Sequence, residues 1–281
     1  MKEITCQQIT ETIKEMCIKA ACNLPTDVLA SLKQAMITET YPLANKTLGV
    51  LVENASIASD KQMPICQDTG MAFVYFTMGQ EVHIKGGSIQ TAIQEGVRLG
   101  YEEGFLRKSV VDDPVFDRVN TKDNTPAIIH FNIIEGDTFH ILLAPKGFGS
   151  ENMSQVCMLK PSDGVEGIKN FVLKVVNDAG PNACPPMVIG VGIGGSFDKV
   201  TLLSKQAMLR TIGSHHQDNR YATLEKELLT MINETGIGPA GYGGKTTALA
   251  LNIETHPTHI AGMPVAVSIC CHVARHQEAY L

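Results

Sequence analysis

Residues 182–199 read NACPPMVIGVGIGGSFDK, and their order dictates one kind of local structure. The apolar run from Met187 to Ile193 has the length of a short buried strand, glycines end it, and a helix is expected over 196–211. A strand feeding directly into a helix is the building unit of α/β proteins. The stretch also contains GxGxxG at Gly190, Gly192 and Gly195, the fingerprint of dinucleotide sites, so an NAD-dependent oxidoreductase is a distant alternative. Against it, the unit lies two-thirds along the chain behind a Pro-Pro pair, and no clean second strand ends in an acidic residue about twenty positions on. A tight strand-to-helix turn, with glycines where backbone must approach backbone, accounts for the same letters.

Moving outward from this unit, helical patterns cover about 161–179 and 219–235. Residues 246–276 give two further strand-like runs separated by the turn His256-Pro257-Thr258-His259. Upstream, PAIIHFNII (126–134) and TFHILLAP (138–145) flank Glu135-Gly136-Asp137 and read as a β-hairpin. A strand is expected at 71–78, a helix opened by Ser88 at 88–104, and a long polar loop at 105–125. From Ile4 to about Asp60 apolar residues recur at helical spacing, broken at Pro25 and Pro42, which predicts three helices. The fold class is therefore α/β (mixed α+β). It is read as one domain over 1–281, with a helical segment over 1–60 and a mixed sheet with helices over 61–281, and with no internal repeat in the sequence.

The composition narrows the function. A chain of 281 residues with 44% hydrophobic and 19% charged residues can bury a full core without disulfides. Its net charge of −6 and lack of a basic run argue against nucleic acid as a partner. The N-terminus, MKEITCQQITETIKEM, lacks the apolar core of a signal peptide, and no stretch has the length of a membrane span, so no membrane partner and a cytoplasmic location are expected. In a reducing compartment the eight cysteines stay thiols or bind metal, and the absence of a CxxC pair disfavours a zinc ribbon.

Each motif has a plain alternative. GPAGYGGKTT fails as a phosphate loop because Pro239 stands where glycine is required; Lys245, Thr246 and Thr247 then hold an anion at a turn or are simply solvated. His256 and His259 straddle a proline, so their spacing does not put them on one helix face. Cys6, Cys17, Cys22 and Cys157 sit in or beside helical patterns and read as small core residues. Cys66 in PICQDTG, Cys184 in NACPPM and one of Cys270 and Cys271 in SICCHVARH lie instead at strand edges beside proline or polar residues. Three such thiolates suit an iron-sulfur cubane with one iron lacking a protein ligand, and an open iron is a Lewis acid.

Taken together, PICQDTG, PKGFGSENMS, NACPPMVIGVGIGGSFDK, GIGPAGYGGKTTAL and HPTHIAGMPVAVSICCHVARH resemble the class I, iron-sulfur fumarate hydratases, a family that also includes L-tartrate dehydratase. The chain resembles their alpha subunit, or N-terminal cluster-binding domain, over nearly its whole length. The resemblance implies a 4Fe-4S cluster on Cys66, Cys184 and Cys271, with Cys271 preferred to Cys270 because the third ligand directly precedes an HxAR-like segment. It implies catalytic roles for Asp68 and His259, and contact of Gln67, Arg107, Gly149 and Ser150 with a small dicarboxylate substrate. It further implies reversible hydration of fumarate to S-malate, a step of the tricarboxylic acid cycle, with tartrate dehydration the nearer alternative. The family's second domain does not follow Cys271 here, so a separate beta subunit and an alpha2beta2 heterotetramer are expected.

Overall fold

A computed structural model describes residues 2–281. In chain order its elements are β1 (Lys2–Thr5), α1 (Cys6–Cys22), α2 (Thr26–Thr38), α3 (Pro42–Lys61), β2 (Met71–Gly79), β3 (Val82–Lys85), α4 (Ile89–Glu103), β4 (Ile128–Ile134) and β5 (Phe139–Lys146). There follow α5 (Phe148–Glu151), β6 (Gln155–Leu159), α6 (Gly164–Ala179), β7 (Met187–Gly194), α7 (Phe197–Met208), α8 (Asn219–Glu234), β8 (Ala248–His256), β9 (Met263–Cys270) and β10 (Gln277–Tyr280). The mixed α/β class and the three helices before residue 62 are as the sequence predicts, while β1, β3, β6 and β10 are additional short strands. Cys157 lies on one of them, β6, rather than beside a helix.

The chain divides into two compact units: Met1–Pro25 with Asn54–Phe148 and Arg275–Leu281, and Thr26–Glu53 with Gly149–Ala274. Residues 1–60, expected as a helical segment ahead of a mixed sheet, are shared between the two. In the first unit a four-stranded sheet has the order β10-β5-β2-β4, and β1 pairs with β3 in a small parallel ribbon. Thr5 caps α1 with a reciprocal box, taking the Gln8 N–H at 3.2 Å while its own N–H donates to Gln8 Oε1 at 2.8 Å. Ile9, Ile13, Met16, Cys17 and Ala20 then bury one face of α1 with Ile93, Val97 and Tyr101 of α4 and Val74 and Phe76 of β2.

The expected hairpin between β4 and β5 does not form. β2 lies between them, parallel to β4 and antiparallel to β5. The reason is at Gly79: its N–H donates to Thr138 O at 2.7 Å, and a Cβ there would lie 2.1 Å from Gly136 O. Without a side chain, the end of β2 enters the mouth of the 134–139 turn and takes the ladder that the two arms would otherwise share.

The second unit repeats this plan with order β6-β9-β7-β8. Its central strand β7 is parallel to β8 and antiparallel to β9, so β8 and β9, consecutive in sequence, again flank an earlier strand. In both sheets a helical crossover precedes the parallel neighbour, as parallel pairing requires. Every residue of β7 is buried, consistent with a central strand covered on both faces. Its glycines answer the fingerprint question: a Cβ at Gly190 would lie 2.0 Å from Ser204 O, and one at Gly192 2.2 Å from Val200 O. They let the backbone of α7 lie directly against β7, which is a packing role.

Candidate active site

In the first unit the site residues stand on the loop entering β2. Ile65 donates its N–H to Ala21 O at 3.0 Å, and its carbonyl accepts from Asn54 Nδ2 at 2.9 Å, so the chain reaches Cys66 from a fixed start. The half-buried Cys66 donates to Gln67 Oε1 at 3.5 Å, and its sulfur accepts the N–H of Asp68 at 3.4 Å. Asp68 closes an Asx turn, Oδ1 taking the Gly70 N–H at 3.0 Å while Oδ2 takes the Phe148 N–H at 2.8 Å. Both carboxylate oxygens are thus engaged by backbone donors, so this side chain orients the loop. Gln67 is exposed beside it.

The neighbouring long loop is tied to the same place. Thr69, 2% exposed, donates its hydroxyl to Arg107 O at 2.7 Å, which fixes the backbone of Arg107 while its side chain stays exposed. Tyr101, fully buried, donates its hydroxyl to Thr69 O at 2.8 Å, with Gly70 O at 3.0 Å. Burial pushes that phenol's pKa up, which keeps it a donor. Asn124, also buried, donates to Gly70 O at 3.1 Å and accepts the Ser109 N–H at 2.7 Å. None of Thr69, Tyr101 and Asn124 stood out in the sequence, because a hydroxyl or amide that serves a loop looks like any other polar residue until the loop is folded.

In the second unit Cys184 ends a 3-10 turn in the left-handed region, φ 51° and ψ 62°, three residues before β7, and its thiol-bearing residue is exposed. Its carbonyl accepts the backbone N–H of His272 at 3.3 Å and His272 Nδ1 at 3.0 Å. The structure therefore brings together the turn carrying Cys184 and the residue directly after Cys271. The two adjacent cysteines differ: Cys270 closes β9 in register with Val188 and is 6% exposed, whereas Cys271 is half-buried just past the strand. Gly149 and Ser150 lie at this same end. A Cβ at Gly149 would meet Asn182 O at 4.0 Å, and Ser154 Oγ accepts the Ile269 N–H at 3.1 Å. Gly149 is exposed and Ser150 is buried.

His259 is not part of this gathering. It sits exposed in the β8–β9 turn, past the pair Gly194↔His256, while Cys184 and Cys271 lie past the pair Val188↔Cys270. Roughly 20 Å of strand separates the two ends at 3.3 Å per residue. Within the second unit the β7 pairing therefore places the His259 turn at the opposite end of the sheet from Cys184 and Cys271. The GGKTT turn also resolves: the Lys245 N–H donates to Glu39 Oε2 at 2.7 Å, and the Thr247 hydroxyl accepts the Gly238 N–H at 3.1 Å. The Lys245 amide thus serves the chain's own buried carboxylate, with Glu39 6% exposed.

Among the described residues there is no group of three or more His, Cys, Asp and Glu arranged for a metal ion, and no described cysteine forms a disulfide. No described helix is long and apolar enough to cross a membrane.

The model of the fumarate hydratase (fumerase) family matches residues 10–280. The chain belongs to that family. Relatives of the chain include a Methanocaldococcus jannaschii protein, provisionally named L(+)-tartrate dehydratase subunit alpha, 43% identical over 270 residues and covering 94% of each chain. The L(+)-tartrate dehydratase alpha subunits of Escherichia coli strains UTI89 and K12 are each 31% identical over 274 residues, 96% of this chain and 89% of theirs. Membership in the fumarate hydratase family makes the chain a member of a hydro-lyase family.

Proposed function

We propose that this chain is the alpha subunit of an iron-sulfur hydro-lyase that interconverts fumarate and S-malate. The observation that carries the reading is the scaffold around the buried Thr69, whose hydrogen bonds tie the loop carrying Cys66, Gln67 and Asp68 to the backbone of Arg107 on the neighbouring loop. A soft ligand and a guanidinium on one rigid support, braced by the Asp68 carboxylate, match what removal of hydroxide from a 2-hydroxy dicarboxylate needs.

The donor set fits a 4Fe-4S cluster on Cys66, Cys184 and Cys271. Thiolates are the ligands such clusters take, Cys184 is exposed while Cys66 and Cys271 are partly exposed, and the Asp68 N–H already points at the Cys66 sulfur. The buried Arg275, described below, has no ion-pair partner and one unused donor, which favours a net-anionic group nearby. When bound, the cluster supplies a Lewis-acidic iron without a protein ligand. Arg107 offers a two-pronged donor to a substrate carboxylate. Gln67 adds an amide beside Cys66, and Gly149 and Ser150 of α5 add backbone and hydroxyl donors. Asp68 holds the loop in the geometry that presents Gln67, through the Phe148 and Gly70 amides.

A second reading, L-tartrate dehydration, is favoured by the names of the relatives. The fumarate reading rests on the motifs KGFGSEN and GGKTTAL, which resemble the fumarase branch of the family. The alpha-subunit names also support a beta-subunit partner, for which we propose an alpha2beta2 assembly in the cytoplasm. Steady-state kinetics of the anaerobically prepared pair on S-malate and L-tartrate test the choice. A higher kcat/KM on malate is expected; a strong preference for tartrate establishes the second reading, and activity on neither overturns both.

A further inference from the structure

Arg275 lies four residues after Cys271, in the loop before β10, and is 4% exposed. Its Nη2 donates to Asp68 O at 2.5 Å and its Nε to Pro145 O at 3.4 Å. Nη1 is buried and has no hydrogen-bond partner. Both partners are neutral carbonyls, and among the described residues no carboxylate forms an ion pair with this guanidinium. The nearby thiol of Cys22 does not supply the missing charge, because burial raises its pKa and keeps it neutral.

A buried cation with one donor unused costs several kcal/mol unless an anion compensates it. The next group along the hydrogen-bond path is the Cys66 sulfur, which accepts from the N–H of Asp68, the residue whose carbonyl Arg275 holds. Three thiolates leave a four-iron cluster net negative, and hydrogen bonds and charges around it set its potential. Resting on the cluster reading above, we propose that Arg275 is a positioning residue for the Cys66 loop and the buried counter-charge of the cluster that Cys66 ligates. Its fork fixes the loop through Asp68 and Pro145, and its charge favours the more reduced, more negative state of the cluster.

The test uses the full chain, purified anaerobically with its cluster, as wild type, Arg275→Gln and Arg275→Lys. Three quantities are read: far-UV circular dichroism, the rate of iron release to a chelator, and the cluster's midpoint potential by EPR-monitored titration. Arg275→Gln is expected to fold, to release iron about ten- to hundredfold faster, and to show a lower potential. Arg275→Lys is expected to return the potential toward wild type while still releasing iron faster, because it restores the charge without the fork. Wild-type iron release in Arg275→Lys overturns the positioning role, also where Arg275→Gln fails to fold. A potential that is the same in wild type and Arg275→Gln, or that Arg275→Lys does not restore, overturns the counter-charge. A wild-type chain that takes up no iron overturns the cluster reading itself, a result distinct from either.

Discussion

His272 holds the carbonyl of Cys184 with two donors, its backbone N–H at 3.3 Å and its ring Nδ1 at 3.0 Å. Because a carbonyl only accepts, Nδ1 carries the proton in this contact. The link joins two segments 88 residues apart in sequence, each beside a cysteine proposed as a ligand. Replacing His272 by Ala removes the ring donor and leaves the backbone bond. The expected outcome is a folded chain with iron and acid-labile sulfide per chain clearly below wild type, with partial recovery in His272→Asn, whose amide can donate to the same carbonyl. Wild-type iron content in His272→Ala would show the ring contact to be dispensable.

Arg107 is exposed and its backbone, not its side chain, is fixed by Thr69. Its truncation therefore leaves the scaffold intact. Arg107→Met is expected to raise KM for the dicarboxylate by about ten- to a hundredfold, the worth of a charged hydrogen-bonded contact of about 1.5–3 kcal/mol. Thermal stability should stay within a degree or so of wild type. An unchanged KM would remove Arg107 from the substrate site.

Tyr101→Phe deletes one oxygen from a fully buried position and leaves the carbonyls of Thr69 and Gly70 short of a donor, although Asn124 still serves Gly70. A loss of about 1–3 kcal/mol in urea unfolding is expected. Since the same loop carries Cys66, iron retention should fall with it. A variant as stable as wild type would mean that water or another donor replaces the hydroxyl.

Gly192→Ala places a methyl 2.2 Å from Val200 O, a backbone atom that no rotamer change can move. Destabilisation of about 3 kcal/mol or more is expected, seen as loss of soluble protein or of cooperative unfolding. Gly262→Ala, where nothing lies within 4 Å of the new carbon, is the control and should be near neutral. Comparable melting curves for the two variants would contradict the packing role assigned to the GxGxxG glycines.

The sequence by itself determined the helices, most strands, the mixed α/β class and the family, because apolar periodicity, caps such as Ser88 and contiguous motifs are local signals. It also singled out Cys66, Cys184 and the pair Cys270 and Cys271, whose proline and polar neighbours are visible in one dimension, and the family resemblance preferred Cys271. Only the tertiary structure decided which strands are neighbours. PAIIHFNII-EGD-TFHILLAP has every local mark of a hairpin, yet β2 enters between its arms because Gly79 can approach Gly136 more closely than any other residue could. The same insertion of β7 between β8 and β9 makes a second sheet of identical sense, a repeat of topology without a repeat of sequence, with Cys66 and Cys184 each just ahead of its central strand. Strand order likewise parted His259 from Cys184 and Cys271, which short motifs cannot show. Arg275 escaped notice for the same reason: a buried guanidinium is recognised by what surrounds it, and Asp68 and Pro145 are 207 and 130 residues away along the chain.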